Sequence, residues 1–251
     1  MEKQSKQTSI YSTSKAENHL LQELSENELE VFEPMQIKRL TGYSTAKVNN
    51  TLQQLLKKQK ITRIKKSLYA FNENIPANAF IISLKAFEPA YISFWSALSY
   101  YGFTEQQPVT VQVVTRKRSS SINTGQLKAK ATHFKKELFF GYTKINNIVM
   151  AEPEKALLDS IMYPKKAGGM EEIIKCFQNA YPKINKTLLL KYLRQIKSKT
   201  LNARFGFIFE ELFNKTFKLQ TPSTYVKLNP EKPCSSKRSK KWMININDKI
   251  K

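Results

Sequence analysis

Between Pro34 and Asn72 the chain carries nine Lys or Arg residues (Lys38, Arg39, Lys47, Lys57, Lys58, Lys60, Arg63, Lys65 and Lys66) and no Asp or Glu. This single-signed charge is laid over a rhythm of helix, turn, helix and hairpin. Met35, Ile37 and Leu40 predict a short helix that stops at Thr41-Gly42, where glycine supplies the positive φ of a tight turn. Ser44 or Thr45 can cap a second helix, in which Val48, Leu52, Leu55 and Leu56 recur at i, i+4, i+7 and i+8, the spacing of one buried face. The opposite face presents Thr45, Lys47, Asn49, Asn50, Gln53 and Gln54, side chains suited to phosphates and to base edges in a major groove.

After this helix, residues 61–65 and 68–71 are two short β-prone runs joined at Lys65-Lys66-Ser67, a hairpin with cations at its tip. A solvated amphipathic helix beside a small hairpin in some other kind of domain is the bland alternative. The turn glycine, the apolar spacing, the hairpin and the missing acids agree on a winged helix-turn-helix instead. Its expected partner is double-stranded DNA. Lys47, Asn49 and Asn50, with Thr45 and Gln53 on the same face, are expected to meet bases or adjacent phosphates, while Arg63, Lys65 and Lys66 grip the backbone. Upstream, Ser14 to Leu24 predicts a further helix with Leu20, Leu21 and Leu24 as its buried side. The first dozen residues are polar and Ser-rich without apolar periodicity, so a disordered start is expected. Met1 is not followed by the apolar stretch of a signal peptide.

The chain of 251 residues can bury one large core or two modest ones, and a change of pattern near 72–78 predicts two domains, 1–75 and 76–251. The formal charge of +22 favours a polyanion as partner, and most of that surplus lies beyond residue 75, so the second domain is itself expected to touch nucleic acid or an acidic protein. The longest apolar runs, such as residues 79–82, fall far short of a bilayer span, and no membrane partner is expected. Cys176 and Cys234 lack CxxC spacing and nearby His, which predicts neither a metal site nor a disulfide and fits the cytoplasm. His19 and His133 are too far apart in sequence to suggest a ligand pair. No cofactor is expected.

In the second part, residues 80–87 read as extended or helical. Pro89 to Gly102 predicts a helix starting at Ser93, with Trp95, Leu98 and Tyr101 available for burial. A strand over Val111 to Thr115 follows, then strand from Ala131 to Tyr142 with a break at Gly141, and a short strand from Ile145 to Met150. Pro153 fits the first turn of a helix with Leu157, Leu158, Ile161 and Met162 as its buried stripe. Residues 170–178, 186–196 and 205–217 have helical spacing, with Lys183, Lys186, Lys191, Arg194, Lys197, Lys199 and Arg204 on the outer faces. Residues 235–241 read as a flexible basic loop before a final strand of Trp242, Ile244 and Ile246.

Several blocks carry a family resemblance: Tyr91-Ile-Ser-Phe-Trp-Ser-Ala-Leu98, Tyr101-Gly-Phe, Gln107-Pro108, Val111 to Thr115, Phe140-Gly141, Ala151-Glu-Pro-Glu-Lys-Ala-Leu-Leu-Asp159, Leu228-Asn-Pro230 and residues 242–247. In this order the chain resembles the AbiEi-type antitoxins of type IV toxin–antitoxin systems, also described as predicted transcriptional regulators of viral defence systems. Ile64-Lys-Lys-Ser-Leu-Tyr69 looks like the family's wing, with Ser67 where the family usually has glycine. The resemblance implies an α+β protein, an N-terminal winged helix-turn-helix followed by a mixed α/β C-terminal antitoxin domain. It implies repression of its own promoter through inverted repeats and opposition to a cognate nucleotidyltransferase-like toxin, functionally and without need of a stable complex. The motif residues carried over are Tyr91, Ser93, Ser96, Gly102, Glu154, Lys155 and Asp159. A stand-alone regulator of a defence or mobile-element operon is the alternative.

An enzyme is not expected. A nuclease of the PD-(D/E)xK type needs an acid two residues before its lysine, and Pro153 stands there relative to Lys155. No GxxxxGK[ST], GxSxG or HExxH is present. Lys155 and Asp159, four apart, are expected to pair on one helix face for a few tenths of a kcal/mol, with Glu152 and Glu154 near the positive end of that helix.

Overall fold

The structure, a computed structural model, describes residues 12–250. The expected disordered start therefore lies outside the described residues up to position 11. The protein is α+β, and its described residues divide into two compact units: one up to Glu88 together with Ser120–Ala129, the other Pro89–Ser119 with Lys130 onward. No helix among the described residues is long and apolar enough to cross a membrane.

In the first unit, helix α1 (Lys15–Glu26) starts in a capping box: Ser14 Oγ accepts from Glu17 N, and Ser14 N donates to Glu17 Oε2 at 2.6 Å. Strand β1 (Val31–Phe32) leads into α2 (Pro34–Thr41), which Pro34 opens at its first position. Gly42 ends α2 at φ 69°, and a Cβ there would meet nothing within 4 Å, so backbone conformation and not space is what demands glycine. Helix α3 (Thr45–Lys57) follows at once, capped by Ser44 Oγ accepting from Lys47 N. Strands β2 (Ile61–Lys65) and β3 (Leu68–Phe71) form an antiparallel hairpin, and β1 joins β3, giving the order β1-β3-β2. Leu20, Leu24, Ile37, Val48, Leu52, Leu55, Phe32, Ile61 and Tyr69 make one buried cluster, which explains why each of these short elements holds: every one contributes apolar area to the same core. At the hairpin tip Ser67 takes φ 58°, the left-handed conformation that glycine would adopt more easily.

Residues 80–87, open in sequence between extended and helical, are helix α4 (Ala79–Phe87). The compact division falls after Glu88, later than the pattern change at 72–78. Two ties hold this stretch within the first unit. Glu30 Oε2 accepts from the Asn74 and Asn78 amides at 3.1 and 2.7 Å, and Lys65 Nζ donates to Ala86 O at 2.5 Å.

The second unit is organised by strands in the order β7-β5-β4-β9-β8: β4 (Ala90–Ile92), β5 (Val111–Thr115), β7 (Lys128–His133, in this unit from Lys130), β8 (Tyr142–Ile145) and β9 (Ile148–Ala151), while β6 (Ser120–Asn123) falls in the first unit. Strand β4 runs antiparallel to β5 and parallel to β9, with Ile92 opposite both Val113 and Met150. The strand expected over 131–142 is broken: β7 ends at His133, a 3-10 turn occupies Lys136–Leu138, and β8 begins only at Tyr142. Of the expected strand 145–150 only Ile148 onward is strand β9: Ile145 ends β8, and the β8–β9 hairpin turns at Asn146 with φ 46°.

Helix α5 (Phe94–Tyr100) follows β4, and α6 (Pro153–Met162) follows β9. Every residue of α6 from Glu154 to Ile161 is buried, so the apolar stripe expected from sequence is only one side of a helix enclosed all round. Helices α7 (Met170–Ala180), α8 (Lys186–Ile196) and α9 (Lys199–Phe213) complete the unit. The last begins six residues earlier than its Phe-rich spacing suggests, because Ser198 Oγ caps it by accepting from Leu201 N. Arg204, expected on an outer face, is instead buried: its Nε donates to Lys227 O at 3.0 Å and a terminal nitrogen to Ile161 O at 3.3 Å. Burial lowers its pKa from the ordinary guanidinium value.

The C-terminal segment forms a small sheet of β10 (Val226–Lys227), β11 (Arg238–Ser239) and β12 (Ile244–Asn245), order β10-β12-β11. The expected loop 235–241 thus contains a strand, and the expected final strand is confined to Ile244–Asn245. Trp242 packs onto α9 at Gly206, where an added Cβ would lie 2.1 Å from the indole, while its Nε1 donates to Glu210 Oε2. Gly206 is therefore required by contact. Gly206→Ala is expected to destabilise the protein by about 1–3 kcal/mol, the usual cost of overpacking, read as a lower urea midpoint at unchanged m-value.

Candidate nucleic-acid interface

The burial of Val48, Leu52 and Leu55 fixes the rotation of α3 and turns Thr45, Lys47, Asn49, Asn50, Gln53 and Gln54 to solvent, all six of them exposed. Two cations are already steadied there. Lys47 Nζ stands 3.6 Å from the centroid of the Tyr43 ring, and Lys38 Nζ reaches Thr45 Oγ1 at 3.4 Å. Tyr43 has no role in the sequence reading, where only its place between turn and helix is visible. The exposed side of α3 is thus short polar side chains with Lys47 oriented among them.

On the hairpin, Arg63, Lys65 and Lys66 are all exposed. Their surroundings differ. Lys65 Nζ is committed to Ala86 O in the last turn of α4, where helix carbonyls favour a cation. Lys66 projects from the turn beside Ser67. Glu17, the one buried acid among the described residues of this unit, is paired with Lys58 Nζ at 2.7 Å. Burial would raise the Glu17 pKa, yet the hydrogen bonds from Lys58 and from Ser14 outweigh it and hold the carboxyl below 4.5.

Four of the seven motif residues meet in the core of the second unit. Tyr91 lies in β4, Ser93 caps α5, and Lys155 and Asp159 lie one turn apart on α6. Ser93 Oγ and Tyr91 Oη donate to Asp159 Oδ2 at 2.8 and 3.3 Å, and Lys155 Nζ donates to Asp159 Oδ1 and, at 3.2 Å, to Tyr91 Oη. The rings of Phe134 and Phe140 stand 5.0 and 5.1 Å from Lys155 Nζ. Both side chains of the pair are 0% exposed, which overturns the expectation of a surface pair worth a few tenths of a kcal/mol. Burial lowers the pKa of Lys155, against the attraction of Asp159; burial raises that of Asp159, against Lys155, Ser93 and Tyr91. Burial, and then the Asp159 carboxylate, push Tyr91 well above 10.

The other three motif residues have separate tasks. Ser96 Oγ accepts from Gln112 N at 2.9 Å, tying α5 to β5. Gly102 takes φ 67° after α5. Glu154 Oε1 accepts from Asn185 N at 2.6 Å and so fixes the start of α8. Gly141 belongs with the quartet, because a Cβ there would stand 3.1 Å from Lys155 Cβ and from the Tyr192 ring. Neither the quartet nor α3 touches the cleft of about 820 Å³ between α7, α9 and the C-terminal segment, which Lys175, Phe207, Cys234 and Asp248 help to line. Among the described residues no group of His, Cys, Asp and Glu is placed to hold a metal ion.

No protein-family model matches the chain, and no curated protein does. Among solved structures it is similar to the crystal structure of the RV2827C protein from Mycobacterium tuberculosis, at 11% identity and a TM-score of 0.64, with 93% of this chain and 92% of that one covered. At that identity the likeness is one of fold.

Removing either member of the buried pair leaves an uncompensated charge in an apolar shell. Lys155→Met and Asp159→Leu alone are each expected to cost about 3–5 kcal/mol, whereas the double substitution falls well short of their sum. Urea unfolding of the four proteins measures the coupling.

Proposed function

We propose that the chain is a DNA-binding transcriptional repressor that acts as the antitoxin of a type IV toxin–antitoxin operon. The observation that carries the DNA reading is the exposed face of α3, where Lys47, Asn49, Asn50 and Gln53 stand clear of a packed three-helix core that also supports a cationic hairpin. In this reading the first unit is a winged helix-turn-helix, α3 enters the major groove, and the β2–β3 hairpin lies along the backbone. The antitoxin half rests on the resemblance of the blocks at 91–103, 140–159 and 228–247 to the AbiEi-type family. The second unit opposes a nucleotidyltransferase-like toxin in the cytoplasm and performs no catalysis of its own.

The charge of the second unit fits a partner of opposite sign. Lys117, Arg118, Lys130, Lys135 and Lys136 are exposed, residues 106–136 contain no Asp or Glu, and none of these cations enters an ion pair among the described residues. Lys166 is held below its usual pKa by burial and by the neighbouring charges of Lys130 and Lys165, a crowding of like charge that a polyanion relieves.

Fluorescence anisotropy on the promoter of the chain's own operon, against a scrambled duplex, tests the DNA reading. Asn50→Ala is expected to lose about 1–3 kcal/mol of preference for the operator. Lys66→Ala should weaken both duplexes alike and flatten the salt slope by about 0.9 for one lost phosphate contact. Lys65→Ala, whose ammonium is tied to α4, should lower thermal stability as well. Unchanged operator preference in Asn50→Ala would remove that residue from base readout.

Co-expression with the neighbouring open reading frame tests the antitoxin half. Restored host growth with both wild type and Asn50→Ala is expected, since neutralisation is assigned outside α3. A harmless neighbour, or a toxic one without rescue, would leave a plain regulator.

A further inference from the structure

The second unit carries a surface where aromatic rings and ammonium groups outside any ion pair alternate. Its centre is Tyr181, the residue that ends α7. One face of its ring is stacked on Phe213 at a centroid distance of 3.9 Å and an interplanar angle of 18°. Lys186 Nζ stands 4.9 Å from the ring centroid, and Lys215 Nζ donates to Tyr181 Oη at 2.8 Å. Lys183 Nζ lies 5.9 Å from the ring of Phe103, which stacks on Tyr101, and the neighbouring Tyr100 is 44% exposed.

The acids beside this surface are engaged elsewhere: Glu154 accepts from Asn185 N at 2.6 Å and Glu152 from Tyr192 Oη. Lys183, Lys186 and Lys215 are exposed and take part in no ion pair among the described residues. No Asp or Glu occurs between Glu172 and Glu210, and the Glu210 carboxylate is turned to Lys241 and Trp242. Aromatic side chains in a soluble protein are ordinarily covered when they cluster, and cations are ordinarily paired or dispersed. A surface with both features suits a ligand that has flat apolar rings and negative charge at regular intervals.

We propose that this surface binds a single-stranded polynucleotide, with unpaired bases stacking on Tyr100 and Tyr181 and phosphates meeting Lys183, Lys186 and Lys215. A duplex does not satisfy it, because paired bases keep their faces stacked on one another. A free strand presents base faces and backbone together. Lys186 and Lys215 Nζ stand 4.9 and 5.4 Å from the Tyr181 ring centroid in the manner of cations on a π-face, and moving both to phosphates opens that ring to a base. This site is independent of α3 and of the duplex-binding reading.

The test uses the full-length protein and fluorescein-labelled twelve-residue oligouridine and oligodeoxyuridine, with unlabelled promoter duplex in saturating excess. Binding of one or both strands that survives the duplex is expected, and the ratio of the two affinities assigns the sugar. Tyr100→Ala, and separately Lys183→Ala with Lys186→Ala, should each weaken single-strand binding by about tenfold, in line with alanine replacements at stacking platforms. Duplex binding should be unchanged. The proposal is overturned if wild type fails to bind either strand, if duplex displaces them, or if the substituted proteins bind as wild type does. Loss of duplex binding alone, read in the unsupplemented duplex titration, speaks against the repressor reading and leaves this site standing.

Discussion

A helix enclosed on all sides has no solvent-facing stripe on which to place polar residues, and α6 is such a helix. Its first turn must still begin somewhere, its side chains must still fill the space between sheet and helices, and any charge it carries must be satisfied internally. The Lys155–Asp159 pair answers that constraint by recruiting its partners from other elements: Tyr91 from β4 and Ser93 from the start of α5. Because Asp159 uses both oxygens and Lys155 bridges to Tyr91, the rotation of α6 is coupled to the register of β4 and the entry of α5. Replacing such a group of residues with apolar ones need not lose stability. What the polar set supplies is one arrangement among the many that an all-apolar helix accepts.

The spread of the motif residues follows from this. Glu154, Lys155 and Asp159 share one helix in sequence but serve different neighbours, the start of α8 in one case and the β4–α5 junction in the other. Gly141 completes the set by letting the backbone pass over the Lys155 side chain. A cluster of Lys, Asp, Tyr and Ser invites a catalytic reading in a list of residues. In space it is packed against Phe134 and Phe140, and its four side chains are fully buried.

Much of this was legible in the sequence wherever a local signal fixes local geometry. Gly42, Ser14, Ser44 and Pro153 mark helix ends through φ, side-chain caps and a dispensable N–H, and each end lies where those signals place it. The outward face of α3 was legible because its buried residues keep one period. Residues 131–142 were not, because apolar character was read without period: Phe134, Phe139 and Phe140 serve three different neighbours and no alternation governs them. Arg204 was misplaced for the complementary reason. Cationic side chains at helical spacing usually face water, and only the carbonyls of Ile161 and Lys227, distant in sequence, make its burial possible. The burial of the Lys155–Asp159 pair was hidden likewise, since i, i+4 spacing says nothing of what covers the pair.

The excess of positive charge has a physical consequence of its own. In the first unit Glu17 is engaged by Lys58, and no Asp or Glu lies between Pro34 and Asn72, the stretch that carries the exposed cations of α3 and the hairpin. In the second unit, burial and then the neighbouring charges of Lys130 and Lys165 depress the pKa of Lys166. Self-repulsion of this kind works against the compact state, and it weakens with salt or with a bound polyanion. A ligand that neutralises these charges in the folded state alone therefore adds to stability, by about 2.7 kcal/mol at one hundred times its dissociation constant. Charge that destabilises the free protein is the same charge that favours the complex, so stability and binding are two readings of one surplus.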